Sequence, residues 1–291
     1  MSFKYCCEHP EFIEYSLFHT ELSDDDVKKC ASLLWYLPEI DSFQACHETP
    51  LTDDIYEDIF LDIIKEKLNL GEEDLKIDDS KSDHTIDYDD VKHYKDKICL
   101  NCSKIIIAKS KKKNRVISIL VRFRNSIAHG YFNIINNVFI GFDHPKFNSE
   151  KYSGFMKVKM DNLVKLFDTL ISINNLPSLF SYVLKKMGYS LYEPINYPFD
   201  IIIEKEGRRY YLDFKKFYGR YIDKNEILNY VEEKSEIDKS NCMFILIVDS
   251  SYQTNWISTY LRNHKIFIAD KRIVKELISG KDIFKELNNL M

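Results

Sequence analysis

Apolar residues recur at helical spacing through the first 130 positions of the chain. Ser23 with Asp24, Asp25 and Asp26 offers an N-cap and an acidic first turn, and Val27, Cys30, Leu33, Leu34 and Leu37 follow until Pro38. Thr52, Asp53 and Asp54 open a second predicted helix carrying Ile55, Ile59, Ile63 and Leu68, with Gly71 as its stop. A third is predicted from about Arg115 to His129. Ile134 to Ile140 reads as a small hairpin turning at Asn136-Asn137, and Leu163, Phe167, Leu170 and Ile171 mark a further helix. After Pro177 the pattern becomes helix, hairpin, helix, strand, helix, strand, helix. Phe244 to Val248 is apolar without alternation, as a strand covered on both faces would be, and Lys265 to Ala269 is its expected neighbour. The pattern predicts a helical domain over residues 1–174 and an α/β domain with a central mixed sheet over 177–291.

Composition removes several function classes. The eight glycines are too scattered for a dinucleotide-binding fingerprint, a phosphate loop or a nucleophile elbow. The longest apolar run, Met243–Val248, is far short of the roughly 20 residues that span a bilayer, so no membrane partner and a cytoplasmic location are expected. Seven cysteines without a secretory signal read as reduced thiols. Cys99-Leu100-Asn101-Cys102 is the only CxxC. It has no second pair, because the adjacent Cys6-Cys7 would ligate one metal awkwardly.

The net charge of −5 argues on its face against a nucleic-acid partner, but the charge is segregated. Residues 72–90 hold nine acids against Lys76 and Lys81, while Lys109, Lys111, Lys112, Lys113 and Arg115 form a basic run. Two readings stand: solvated surface, or a field that places phosphate near the basic segment.

The third predicted helix lines up Ile117, Leu120, Val121, Arg124, Ile127 and Ala128, which puts an arginine in an apolar stripe. A guanidinium there needs a carboxylate, a ligand phosphate or a wet interface. Asn125 and His129, four apart, are neighbours at the stripe's edge, and Gly130 lets the backbone turn away. The string Arg124-Asn125-Ser126-Ile127-Ala128-His129-Gly130 resembles the Arg-x(4–6)-His motif of HEPN domains. That resemblance implies an all-α HEPN helical bundle over 1–174, carrying the small β-hairpin. It also implies a homodimer in which two copies of Arg124 and His129 line one cleft, and RNA cleavage there without any cofactor. An imidazole titrating near neutrality suits proton transfer at a ribose 2′-OH, and a guanidinium suits the charge on a phosphorane. The bland alternative pairs Arg124 with a core carboxylate and leaves His129 as a cap.

In the second domain, residues 200–215 read as a hairpin whose turn contains Gly207. Pairing outward from that turn brings Asp200 and Asp213 together at the open end, and alternation sets Tyr211, Asp213 and Lys215 on one face. Two carboxylates suit Mg²⁺ or Mn²⁺, and Lys215 suits positioning of a water; a surface pairing of Lys215 with Asp213 would look the same in sequence. The stretch from Leu179 to Lys215, with Met187-Gly188-Tyr189, Pro198-Phe199-Asp200 and Asp213-Phe214-Lys215, resembles the PD-(D/E)xK nuclease core, most closely its Mrr-type restriction endonuclease branch. The resemblance implies a restriction-endonuclease-like α/β fold with Asp200, Asp213 and Lys215 catalytic and the two aspartates holding metal. The helix from Pro177 to Met187 has no glutamate for the additional acid frequent in that family; Glu193 follows it.

Together these features lead to a nuclease of two activities, a metal-independent ribonuclease site at Arg124, Asn125 and His129 and a Mg²⁺-dependent site acting on DNA or RNA, with an anti-phage or toxin-like role by family association. The alternatives are a Mg²⁺-dependent DNA endonuclease in which the first half only dimerises, and a non-catalytic nucleic-acid-binding or regulatory protein.

Overall fold

The computed structural model describes residues 3–16, 22–41, 50–80, 84–111, 113–145, 150–194, 199–215, 222–235, 237, 242–248 and 255–287. Lys81, Asp83, Lys112 and Pro198, which enter the sequence arguments above, lie outside them. The chain divides into two compact units, Met1–Ser172 and Ile173–Met291.

The first unit corrects the expectation of an all-α bundle: a five-stranded sheet runs through it. Its strands are β2 (Leu75–Asp78), β4 (Lys104–Ala108), β5 (Phe132–Ile135), β6 (Val138–Asp143) and β7 (Gly154–Lys159), in the order β2-β4-β7-β6-β5. A two-stranded ladder joins β1 (Phe12–Glu14) to β3 (Lys97–Cys99). The helices are α1 (Asp24–Asp41), α2 (Glu57–Leu68), α3 (Arg115–Ala128) and α4 (Met160–Ser172), with α3 against β4, β6 and β7. The opposite face is covered by Ile86, Val91, Tyr94 and Ile98 packed on Ile106, Ile140, Phe142 and Phe155. With both faces covered, every residue of β4 and β6 is buried. Such strands lose the apolar–polar alternation that betrays a strand in sequence.

Local chemistry explains the element ends. Asn114 caps α3 by accepting from the Ile117 amide at 2.8 Å. The β5–β6 hairpin turns through Asn136 and Asn137, both at positive φ (49° and 62°), as a tight two-residue turn requires. Helix α2 ends at Asn69 (φ 53°) rather than at Gly71, asparagine tolerating the left-handed conformation. Pro38 does not stop α1, which continues to Asp41; one missing amide weakens a helix without having to end it. Gly141 is where α3 meets the sheet, since a Cβ there would lie 2.7 Å from Ser126 Oγ.

The second unit is built on a mixed sheet of β8 (Ser190–Tyr192), β9 (Ile201–Lys205), β10 (Arg208–Lys215), β11 (Cys242–Val248) and β12 (Ile266–Ala269), in the order β12-β11-β10-β9-β8. Strands β10, β11 and β12 are parallel to one another, whereas β9 and β8 run antiparallel to their neighbours. The helices are α5 (Leu176–Lys186), α6 (Lys224–Glu233), α7 (Asn255–Asn263) and α8 (Lys271–Ile278). One core joins Ile227, Tyr230 and Val231 of α6 and Ile257 and Leu261 of α7 to Phe244, Leu246 and Ile268 of the sheet. On the other side Phe180 of α5 meets Phe214 edge-on, 5.2 Å between centroids. Among the described residues no helix is long and apolar enough to cross a membrane.

Candidate functional site

The β9–β10 hairpin sets the site. Lys205 pairs with Arg208 around Glu206 and Gly207, both at positive φ (54° and 74°), which is a two-residue turn. Counting outward, Leu212 pairs with Ile201, so Asp200 arrives opposite Asp213. The two lock each other. The Asp200 amide donates to Asp213 Oδ1 at 3.0 Å, and the Phe214 amide donates to Asp200 Oδ2 at 2.8 Å. The Asp200 amide also reaches the Leu212 carbonyl at 3.1 Å.

This end of the hairpin is the carboxyl end of β10, and β10 runs parallel to β11. Open sheets favour ligands outside the carboxyl ends of parallel strands. A cavity of about 260 Å³ opens there, lined by Phe199, Asp200, Asp213, Phe214, Lys215, Tyr230, Glu233 and Lys234. Asp200 and Lys215 are exposed, while Asp213 is buried. The Lys215 ammonium stands 6.0 Å from the Tyr230 ring centre.

Helix α6 brings three groups that sequence reasoning missed. Lys234 closes the helix, where the carbonyl ends favour a cation, and its Nζ lies 3.2 Å from Asp213 Oδ2 and 3.1 Å from Glu233 Oε1. The same ammonium sits over Phe199, 4.5 Å from the ring centre. Its contact with Asp213 Oδ2 is an ion pair without hydrogen-bond alignment, and among the described residues neither that oxygen nor the buried Tyr230 hydroxyl has a well-aligned hydrogen-bond partner. Burial pushes the Asp213 carboxyl above its ordinary value, against the pull of the Lys234 charge. Burial, and then the charge of Asp213, push the Tyr230 hydroxyl up. Glu233 supplies a third carboxylate at the cavity, whereas Glu193 is exposed and does not line it.

In the first unit, Arg124 and Asn125 are half-exposed and His129 is exposed at the end of α3. The helix is turned relative to the predicted stripe: it buries Val116, Ile119, Leu120, Phe123 and Ile127, and Arg122 is the enclosed arginine. Arg122 donates from Nη1 to Asp143 Oδ2 at 2.7 Å and from Nη2 to the Ala108 carbonyl at 2.9 Å. Asn125 Nδ2 reaches the same Asp143 oxygen at 3.4 Å. Burial raises the Asp143 carboxyl despite the opposing charge of Arg122. Ile117, Leu120 and Ile127 of the predicted stripe are buried within the chain itself. The charged runs are also partly structural. Asp74 pairs with buried Lys104, Asp90 with Lys76 at 2.6 Å, and Arg115 with Asp58 at 2.8 Å.

No family model and no curated protein matches the chain. Among solved structures it is similar to a protein of unknown function, with TM-score 0.27 and 13% identity over 32% of this chain and 58% of that one. It is also similar to a repair endonuclease from Pyrococcus abyssi, with TM-score 0.22 and 16% identity over 47% of this chain and 62% of that one. The chain thus spans less than two thirds of either neighbour. Both likenesses are weak, and the functional reading stands on the side chains.

The signal for Lys234 was faint in the sequence. Apolar spacing in α6 marks Ile227, Tyr230 and Val231 as core, and a lysine three residues beyond reads as an ordinary helix end. Only the sheet, by placing β10 under that end, turns it into a buried partner for Asp213.

Proposed function

We propose that the second unit is a divalent-metal-dependent nuclease acting on nucleic-acid phosphodiesters at the Asp200–Asp213 cavity. The observation that carries this reading is the mutual locking of the two carboxylates, each fixed through one oxygen by a backbone amide, in a polar cavity shared with Lys215 and Lys234.

The residues fit Mg²⁺ or Mn²⁺. Such ions take few protein oxygens and prefer carboxylates, and among the described residues Asp213 Oδ2 is buried with no aligned hydrogen bond, facing the Lys234 ammonium at 3.2 Å. Asp200 and Asp213 would hold the ion, which when bound supplies charge neutralisation and a more acidic water. The chain's own cations have distinct tasks. Lys215, exposed at the mouth, attracts and orients the phosphate; Lys234, buried behind Asp213, opposes the burial that raises that carboxyl and holds it in place. Glu233 offers a further oxygen acceptor for water beside Lys234.

The proposal is confined to the second unit. The ribonuclease reading of Arg124, Asn125 and His129 rests on the resemblance of their motif; the all-α bundle which that resemblance implies is replaced in the first unit by a five-stranded sheet.

The test is cleavage of single- and double-stranded DNA and RNA with Mg²⁺ or with EDTA. We expect EDTA to abolish cutting and Asp200→Asn to lower it at least roughly 100-fold, with His129→Ala unchanged. Cutting that survives EDTA and Asp200→Asn but vanishes in His129→Ala would move the chemistry to α3. Binding without turnover in Mg²⁺ and in Mn²⁺ would make the cavity a binding site only.

A further inference from the structure

Four cysteines from two distant parts of the first unit meet at one point. The sulfurs of Cys6, Cys7, Cys99 and Cys102 all lie within 4.8 Å of one another. Cys99 closes β3 and is buried, and the other three are half-buried. The N-terminal segment is tied there by its own bonds. The β1–β3 ladder, the Leu100 amide on the Glu11 carbonyl at 3.0 Å, Asn101 Nδ2 on the His9 carbonyl at 3.1 Å and the Tyr94 hydroxyl on the Tyr5 carbonyl at 2.7 Å hold it. The expectation that Cys6 and Cys7 would be awkward co-ligands assumes an extended backbone, in which adjacent side chains diverge. Here the backbone bends at Tyr5 and Cys6, and both sulfurs reach the same point.

We propose that Cys6, Cys7, Cys99 and Cys102 form a structural zinc site that fastens the N-terminal segment to the end of β3 and the connection from β3 to β4 in the first unit.

Geometry favours a single ion. A tetrahedron with Zn–S of about 2.3 Å has sulfur–sulfur edges of roughly 3.8 Å, and the Cys7 and Cys99 sulfurs are 3.7 Å apart. That separation is nearly twice a disulfide bond. An iron–sulfur cluster, with several irons between its thiolates, would spread them farther. With four protein ligands the site is closed, which marks it as structural rather than catalytic.

A second observation, independent of the cysteines, calls for negative charge here. Lys157 of β7 is fully buried, and among the described residues no carboxylate pairs with it. The other fully buried lysine of the sheet, Lys104, has Asp74. The Lys157 ammonium donates instead to Cys102 Sγ at 3.2 Å and to the Cys99 carbonyl at 2.5 Å. An ammonium in such a place is costly against neutral thiols and well placed against thiolates. Four thiolates around a divalent ion carry two net negative charges, and Lys157 offsets one of them. The Asn101 amide donates to Cys99 Sγ at 3.4 Å, another outer bond that draws charge from a ligating sulfur.

The experiment uses the full chain, purified without metal-affinity steps. Elemental analysis is expected to find about one zinc per chain, retained in Cys30→Ala and falling below about a tenth in Cys102→Ser. Replacing zinc by Co²⁺ in the unsubstituted chain is expected to give thiolate-to-cobalt absorption and the visible bands of tetrahedral cobalt, a readout that needs no variant to fold. Absence of those bands after reconstitution, bound iron in place of zinc, equal zinc in Cys102→Ser, or a disulfide among the four in freshly purified protein would each overturn the proposal. Nuclease activity enters none of these readouts, so the zinc site and the cavity of the second unit stand or fall separately.

Discussion

Lys234 and Asp213 face each other across 3.2 Å, with side chains only 3% and 10% exposed. A buried pair of this kind is worth little over an apolar pair, but breaking one half strands the other charge. Lys234→Met should therefore destabilise the second unit by about 3–5 kcal/mol. It should also lower Mg²⁺-dependent cleavage roughly 10- to 100-fold, as loss of a group that holds a ligating residue does. In Asp213→Asn/Lys234→Met much of the stability should return while activity stays lost. Denaturant unfolding followed by Trp256 emission in a Trp35→Phe background separates the two effects; equal stability of single and double variants would sink the argument.

The turn of α3 that encloses Arg122 rather than Arg124 makes a contrast testable by thermal unfolding. Arg122→Met leaves Asp143 buried without its cation and should cost about 3–5 kcal/mol. Arg124→Met and His129→Ala, at half-exposed and exposed positions, should each stay within about 1 kcal/mol. The reverse order would restore the predicted stripe.

Close approach of α3 to the sheet predicts that Gly141→Ala destabilises the first unit by about 1–3 kcal/mol, because the added methyl meets Ser126 Oγ and the Phe139 ring. A melting temperature within a degree of the unsubstituted chain would mean the helix can shift at no cost.

Acid should loosen the second unit through Asp282. Burial alone would raise its carboxyl, but the Lys205 ammonium at 2.8 Å and the Tyr189 hydroxyl at 2.5 Å bring it below the ordinary value. A carboxyl more acidic in the folded state stabilises at pH above its unfolded pKa of about 4, and that stabilisation drains away as pH falls through the lower folded value. Stability measured by urea unfolding from pH 6 down to pH 2 should thus fall less steeply in Asp282→Asn. Parallel curves for the two proteins would exclude Asp282 as the group responsible.

Much of the cavity could be read from residues 200–215 alone, because a two-residue turn fixes register and register fixes which side chains meet. The order of helices and strands after Pro177 was legible for a related reason: its strands are short apolar runs bounded by turns. Of the first unit's sheet, the hairpin turning at Asn136-Asn137 was legible and the rest was not. Lys104 to Ala108 is buried throughout, so it carries no alternation, and β2 lies inside an acidic run that reads as surface. Arg122 escaped because a stripe displaced by one residue, through Val116, Ile119, Leu120, Phe123 and Ile127, satisfies helical spacing equally well and moves the covered arginine from Arg124 to Arg122. The thiol cluster escaped because a bend between neighbours, invisible to periodicity, joins Cys6 and Cys7.

The tight Glu206–Gly207 turn works as a ruler for chemistry that lies at the opposite tip of its two strands. Lengthen it by a single residue and the pleat reverses for everything downstream, sending the Asp213 carboxylate to the face where Phe214 now meets Phe180 and stranding Asp200 without its counterpart. A loop far from the cavity, with no reactive group of its own, is for that reason among the positions least free to change in length.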